Sequence, residues 1–158
     1  MIDKKLCVTV TRAKKIKVTE AKSRTAIILN PGETEFNVVR FDGCAVTNEI
    51  AADFVVTKQK FGDLVIELKG KDVKHAIEQI TATASYLRAN EVAEGRVGGV
   101  IVCKEYPKTT TTIQVLKMGL KKKFDCPIKV FTKDSPEIDF ETSLGHADLL
   151  PNRKKAEA

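Results

Sequence analysis

Asp53 is followed, fourteen residues on, by Glu67-Leu68-Lys69-Gly70. Side chains alternate along a strand with period two, so Glu67 and Lys69 share a face. Asp53 heads the preceding strand-like run, Asp53 to Thr57. Across a hairpin loop with an odd number of residues it falls opposite Glu67 or Lys69, with Cβ atoms roughly 4.5–5.5 Å apart. Two carboxylates and an ammonium then converge. The carboxylates of Asp53 and Glu67, with the carbonyl of Leu68 between Glu67 and Lys69, are the hard oxygen ligands that suit Mg²⁺ or Mn²⁺ retaining several waters. Such an ion polarises a phosphate and acidifies water, and a lysine beside it orients that water or stabilises the developing charge. Phosphodiester hydrolysis is the reaction this set fits. A solvated Glu–Lys pair is the plain alternative. Against it, Val65-Ile66 and Phe54-Val55-Val56 read as interior strands, where an unpaired charge is costly.

The elements that must position these residues follow from periodicity and turn chemistry. The first half reads as strands: Leu6 to Val10, Lys15 to Thr19, Thr25 to Leu29 closed by Asn30-Pro31-Gly32, and Glu35 to Phe41 closed by Asp42-Gly43. An antiparallel meander is the expected arrangement. Asp53 to Thr57 and Asp63 to Lys69 then form a hairpin. After Gly70-Lys71 the period changes, with Val73, Ala76, Ile77, Ile80, Ala84 and Leu87 at helical spacing and Asp72 as N-cap, so a helix runs from Asp72 to about Ala89. Gly98 to Cys103 is an apolar strand of the kind buried on both faces. Pro107 and a threonine run precede a second helical stripe, Ile113, Leu116, Leu120 and Phe124, and Ile128 to Thr132 is a further strand.

An acidic residue opening one strand, E-x-K on the next and a glutamine on the helix that follows resemble the PD-(D/E)xK nuclease superfamily. The matching residues are Asp53, Glu67, Lys69 and Gln79, within a resemblance covering roughly Phe36 to Cys103. It implies an α/β fold of restriction endonuclease-like type, a mixed central sheet with two flanking helices, here with an N-terminal antiparallel β extension. It further implies a metal-dependent endonuclease using Mg²⁺ or Mn²⁺, acting on DNA rather than RNA, in restriction, phage defence or repair. Gln79 would stand near the metal or the substrate phosphate. Ala51-Ala52 replace the proline of the motif, and the first helix with its glutamate is not evident, so Glu49 or Asp42 is a candidate for the extra carboxylate. The alternative is a catalytically inactive nucleic-acid-binding or protein-interaction module on the same fold.

Charge supports a polyanionic partner. Residues 134–158 carry six acidic and three basic side chains, leaving 24 basic and 15 acidic in residues 1–133, a body of +9. Such an excess attracts nucleic acid first. Lys117, Lys121, Lys122 and Lys123 crowd the second helix as candidate phosphate contacts, with Arg24 and Arg40 as further ones. The organisation expected is a nuclease-like domain over residues 1–133 and an acidic, loosely ordered tail over 134–158. The four cysteines lack metal-binding spacing and read as small buried hydrophobes. No apolar stretch approaches the roughly 20 residues of a membrane span. A cytoplasmic protein without membrane contact is expected, and a homodimer if both strands of a duplex are cut.

Overall fold

A computed structural model describes residues 7–20, 24–68, 72–105 and 110–145. Lys69, the Gly70-Lys71 pair, Tyr106 and the chain after residue 145 lie outside these described residues. In chain order come β1 (Val8–Thr11), β2 (Lys15–Thr19), β3 (Thr25–Leu29), β4 (Phe36–Arg40), β5 (Phe54–Lys58) and β6 (Gly62–Leu68). Helix α1 (Val73–Ala89), β7 (Arg96–Val102), α2 (Thr111–Phe124), β8 (Ile128–Phe131), β9 (Glu137–Asp139) and the single turn α3 (Phe140–Ser143) follow.

Strands β5, β6 and β7 are apolar on both faces, so their sheet must be covered twice. Its order is β1-β4-β5-β6-β7-β8, antiparallel from β1 to β6 and parallel from β6 to β8. Val55, Val65 and Ile101 face α1 and α2. Phe54, Val56, Leu64, Ile66, Val100 and Val102 face a second sheet, order β2-β3-β9. The molecule is therefore a mixed α/β structure of three layers: helices, six-stranded sheet, three-stranded sheet. Helix α1 begins as its sequence dictates, with the Asp72 carboxylate accepting from the His75 amide at 3.0 Å. Its buried stripe contains Val73, Ala76, Ile77, Ile80, Ala84 and Leu87. Thr110 caps α2 by accepting from the Ile113 amide at 3.1 Å. The Gly98-Gly99 pair of β7 is explained by close approach on both sides. A Cβ on Gly98 would collide with the Ser143 carbonyl, and one on Gly99 with Ile128 and Ile80.

The meander expected of the first four strands is not what forms. β1 pairs with β4 at the edge of the large sheet, and β2 and β3 leave as a hairpin to build the small one. Alternation explains the departure: Ile16, Val18, Ala26 and Ile28 give that hairpin one apolar face, and the uncovered face of β5 and β6 is what it packs on. The loose tail expected from residue 134 also fails for its first part. β9 pairs with β3 in parallel, and Ile138, Phe140 and Leu144 are buried in the core between the two sheets. Three apolar side chains at irregular spacing carry no periodic signal, which is why the segment reads as unstructured.

A third correction concerns the cysteines. Cys7 and Cys44 form a disulfide, with Cα atoms 5.7 Å apart. The β1–β4 pairing brings them together, since the Arg40 amide donates to the Cys7 carbonyl at 2.9 Å. Disulfides of this kind persist chiefly in oxidising surroundings, whereas four unpaired thiols suit the reducing interior expected from the sequence. Cys103 and Cys126 are buried free thiols, as expected, and burial pushes the Cys126 thiol up to about 12. Among the described residues no helix is long and apolar enough to cross a membrane.

Candidate active site

The β5–β6 register decides where the two acids fall. Phe54 pairs with Ile66, and Lys58 with Gly62, leaving Gln59, Lys60 and Phe61 as a three-residue turn in which Lys60 takes a left-handed φ of 63°. Continuing that register one step places Asp53 directly opposite Glu67, both on the helix-covered face. The carboxylates then exchange places with the backbone ladder. Glu67 Oε1 accepts from the Asp53 amide at 3.1 Å, and Asp53 Oδ2 accepts from the Leu68 amide at 2.8 Å. Glu67 is 0% exposed and Asp53 9%, so Asp53 is the member of the pair that meets solvent.

Helix α1 contributes the third group. Gln79, buried at 6% exposure, donates from Nε2 to the Ala51 carbonyl at 3.1 Å. A carbonyl can only accept, so the amide orientation is fixed. Gln79 Oε1 is then a buried oxygen with no hydrogen-bond partner. This orphan atom, on the side chain that holds the carbonyl two residues before Asp53, is a hard donor of the same kind as the carboxylates. An all-oxygen set of Asp53, Glu67, the Leu68 carbonyl and Gln79 is chemically suited to Mg²⁺ or Mn²⁺ with waters completing the shell.

Other predicted positions do not join this group. Asp42 and Glu49 are exposed, and neither completes a metal-sharing group with Asp53 and Glu67 among the described residues. Among the described residues no three His, Cys, Asp or Glu side chains are placed to share a metal. Lys69 lies outside the described residues. Arg40 stacks over the Phe54 ring at 5.8 Å, and Arg24 is ion-paired with Asp134. Lys121, Lys122 and Lys123 sit in the last turn of α2, whose C-cap Asp125 bonds Arg96 at the amino end of β7. Arg96 pairs with Gly62, five residues from Glu67 along β6. At about 3.3 Å per residue the lysine run is on the order of 15 Å from the acid pair. Lys117 is a half-buried residue of the same helix.

A third buried acid stands at that amino end. Asp63, 1% exposed, accepts from the Thr57 hydroxyl at 2.7 Å and from the Glu94 amide at 2.8 Å. Burial raises its pKa above the ordinary 3.8, outweighing the lowering effect of those two bonds. Sequence reading passed over Asp63, and also Thr83, a fully buried hydroxyl one turn beyond Gln79 that accepts from the Ala52 amide at 2.8 Å. The signal for Thr83 was available as a glutamine and a threonine four apart within an apolar helical stripe.

Compared with protein-family models, curated proteins and solved structures, the chain finds no match.

Proposed function

We propose that this chain is a metal-dependent nuclease of the restriction endonuclease-like kind, hydrolysing phosphodiester bonds in DNA in preference to RNA. The observation that carries the reading is the Asp53–Glu67 pair, set opposite one another by the hairpin register and each held by an amide of the other strand. Buried like-charged groups side by side are expensive unless a cation or a proton repays them. The order of elements supports the same reading. Three antiparallel strands (β4, β5, β6), a helix and a parallel strand follow the order of the core that the resemblance implies, without its first helix among the described residues.

In this reading Asp53, Glu67, the Leu68 carbonyl and Gln79 hold Mg²⁺ or Mn²⁺. When bound, such an ion would supply Lewis acidity to a phosphate and to water at the site. Asp53, the member in contact with solvent, faces the incoming phosphate. Lys69, assigned by the resemblance, orients the attacking water and stabilises the charge that develops on the phosphoryl oxygens. A single site cuts one strand, so cleavage of a duplex calls for a homodimer.

The test is incubation with labelled single-stranded, duplex and branched DNA and with RNA, with Mg²⁺ or Mn²⁺ against EDTA. Metal-dependent cleavage that Asp53→Ala and Lys69→Ala both abolish supports the proposal. Equal cleavage by both variants and the wild type puts any activity elsewhere. The second reading, a non-cleaving nucleic-acid-binding module on this fold, is favoured by the complete burial of Glu67 and by the lack of a third acid beside it among the described residues. Salt-sensitive binding without cleavage by any divalent metal would select it.

A further inference from the structure

The peptide between Ala51 and Ala52 is gripped at both ends by one helix. Its carbonyl accepts from Gln79 Nε2 at 3.1 Å, and its N–H donates to Thr83 Oγ1 at 2.8 Å. Thr83 in turn donates to the Gln79 carbonyl at 3.0 Å, which fixes the direction of its hydroxyl lone pairs. In a trans peptide the C=O and N–H point in opposite directions, and residues four apart on a helix are neighbours on one face. Gln79 and Thr83 therefore span one peptide plane along the axis of α1. All of this is buried: Ala51, Ala52, Gln79 and Thr83 are 3, 0, 6 and 0% exposed. Around them α1 is apolar, with Ala76, Ile77, Ile80 and Ala84 in the core.

The next residue in the chain is Asp53. It lies one residue before β5 begins, where the register faces it to Glu67 and the Phe41 amide holds its carbonyl at 2.9 Å, while the chain enters it through the 51–52 peptide. We infer that Thr83, with Gln79, is a positioning residue that holds the Asp53 carboxylate on the Leu68 amide, within the register that faces it to Glu67, by locking the 51–52 peptide. This rests on the nuclease reading for its purpose, though not for its geometry. Locking that plane limits ψ of Ala51 and φ of Ala52, the two soft torsions that aim the chain into Asp53. Replacing the hydroxyl with a methyl leaves a buried N–H without an acceptor, and the peptide must turn to find one.

The experiment compares Thr83→Val with Thr83→Ser and with a control at the other end of the same hairpin, Thr57→Val, which removes a buried hydroxyl from Asp63. The first readout is hydrogen exchange at the Leu68 amide, which donates to Asp53 Oδ2 and so reports where that carboxylate is. The second is the Mn²⁺ dissociation constant. Thr83→Val is expected to speed Leu68 exchange and weaken Mn²⁺ binding, each at least about tenfold. Thr83→Ser should restore both to within about threefold, and Thr57→Val should lower the melting temperature while leaving both near wild type. Unchanged Leu68 exchange in Thr83→Val, or equal effects from Thr57→Val, overturns the inference. If the wild type binds no Mn²⁺ but Leu68 exchange responds as described, the clamp stands and the nuclease reading falls.

Discussion

The two ends of β6 bury the same chemical group for different ends. Asp63, near the amino end, is a single carboxylate met by one hydroxyl and one amide, from the neighbouring strand and the loop before β7. The chain is drawn tight around it. A Cβ on Gly62 would strike the Arg96 carbonyl and Leu144, and the docked segment β9–α3 seals that end. At the carboxyl end, four residues on, Glu67 faces a second carboxylate, and the helix above contributes a glutamine with an orphan oxygen. Burial of an acid is thus no sign of function by itself. Two acids in register, beneath a helix whose buried polar side chains hold the backbone leading into one of them, are a better one.

The comparison is broken most severely by removing the seal. Truncation after residue 133 should cost several kcal/mol, since burying Ile138, Phe140 and Leu144 contributes roughly 1.5–3 kcal/mol each. A deletion confined to residues after 145 that costs as much in a urea titration would show that the seal is elsewhere. At the other end, Glu67→Gln keeps an acceptor for the Asp53 amide but removes the charge. Cleavage should fall roughly 100- to 1,000-fold, the scale of losing one preorganised electrostatic contact, and gel assays reading less than a tenfold loss would make the two ends alike.

Asp63→Ala should do the reverse, lowering stability by about 1–3 kcal/mol through unmet donors on Thr57 and Glu94, with cleavage kept. A smaller effect comes from titration. Because burial raises the folded pKa of Asp63 above 3.8, its protonated form favours the folded state. That contribution is full below the unfolded value and is lost as pH rises through the raised folded one. The stability of the wild type relative to Asp63→Asn should therefore decline upward from about pH 4. A flat difference in melting temperature across the acid range would mean Asp63 is not desolvated. Least of all, replacing Lys121, Lys122 and Lys123 by alanine should change nucleic-acid affinity by under about threefold. These side chains stand in the last turn of α2, where Lys121 pairs with Asp125 at 2.7 Å and cations offset the helix dipole for about 0.3–1 kcal/mol. Fluorescence anisotropy at fixed salt that shows a tenfold loss would mean the bound acid extends the full length of β6.

What was legible in the sequence is what short range encodes. Asp72 as a cap and the α1 stripe depend on residues within a few positions of one another, whereas the sequence left Asp53 opposite either Glu67 or Lys69 until the three-residue turn was seen. The rest depended on partners distant in the chain. Nothing in Lys15 to Leu29 states that this hairpin abandons β1 and β4 for the opposite face. Ile138, Phe140 and Leu144 are too few and too unevenly spaced to announce a docked segment. For Lys121 to Lys123 the sequence shows their density and not which end of the sheet they occupy. Thr83 showed in the sequence only as a polar position in the α1 stripe: a threonine in a helix most often bonds its own preceding turn, and only the fold shows that it also receives Ala52.

The Cys7–Cys44 bridge closes a covalent ring that holds all of β1 to β4, two strands from each sheet. By loop length alone such a ring stabilises the fold by about 4 kcal/mol relative to the reduced chain. It also alters what damage to the chain means. A protease cut at any one peptide bond between residues 7 and 44 opens the ring without releasing a fragment, and the halves travel as one molecule on a denaturing gel until a thiol is added. Cuts beyond residue 44 have no such protection, so within the stretch that delivers Asp53 and Glu67 a single nick divides the molecule in two.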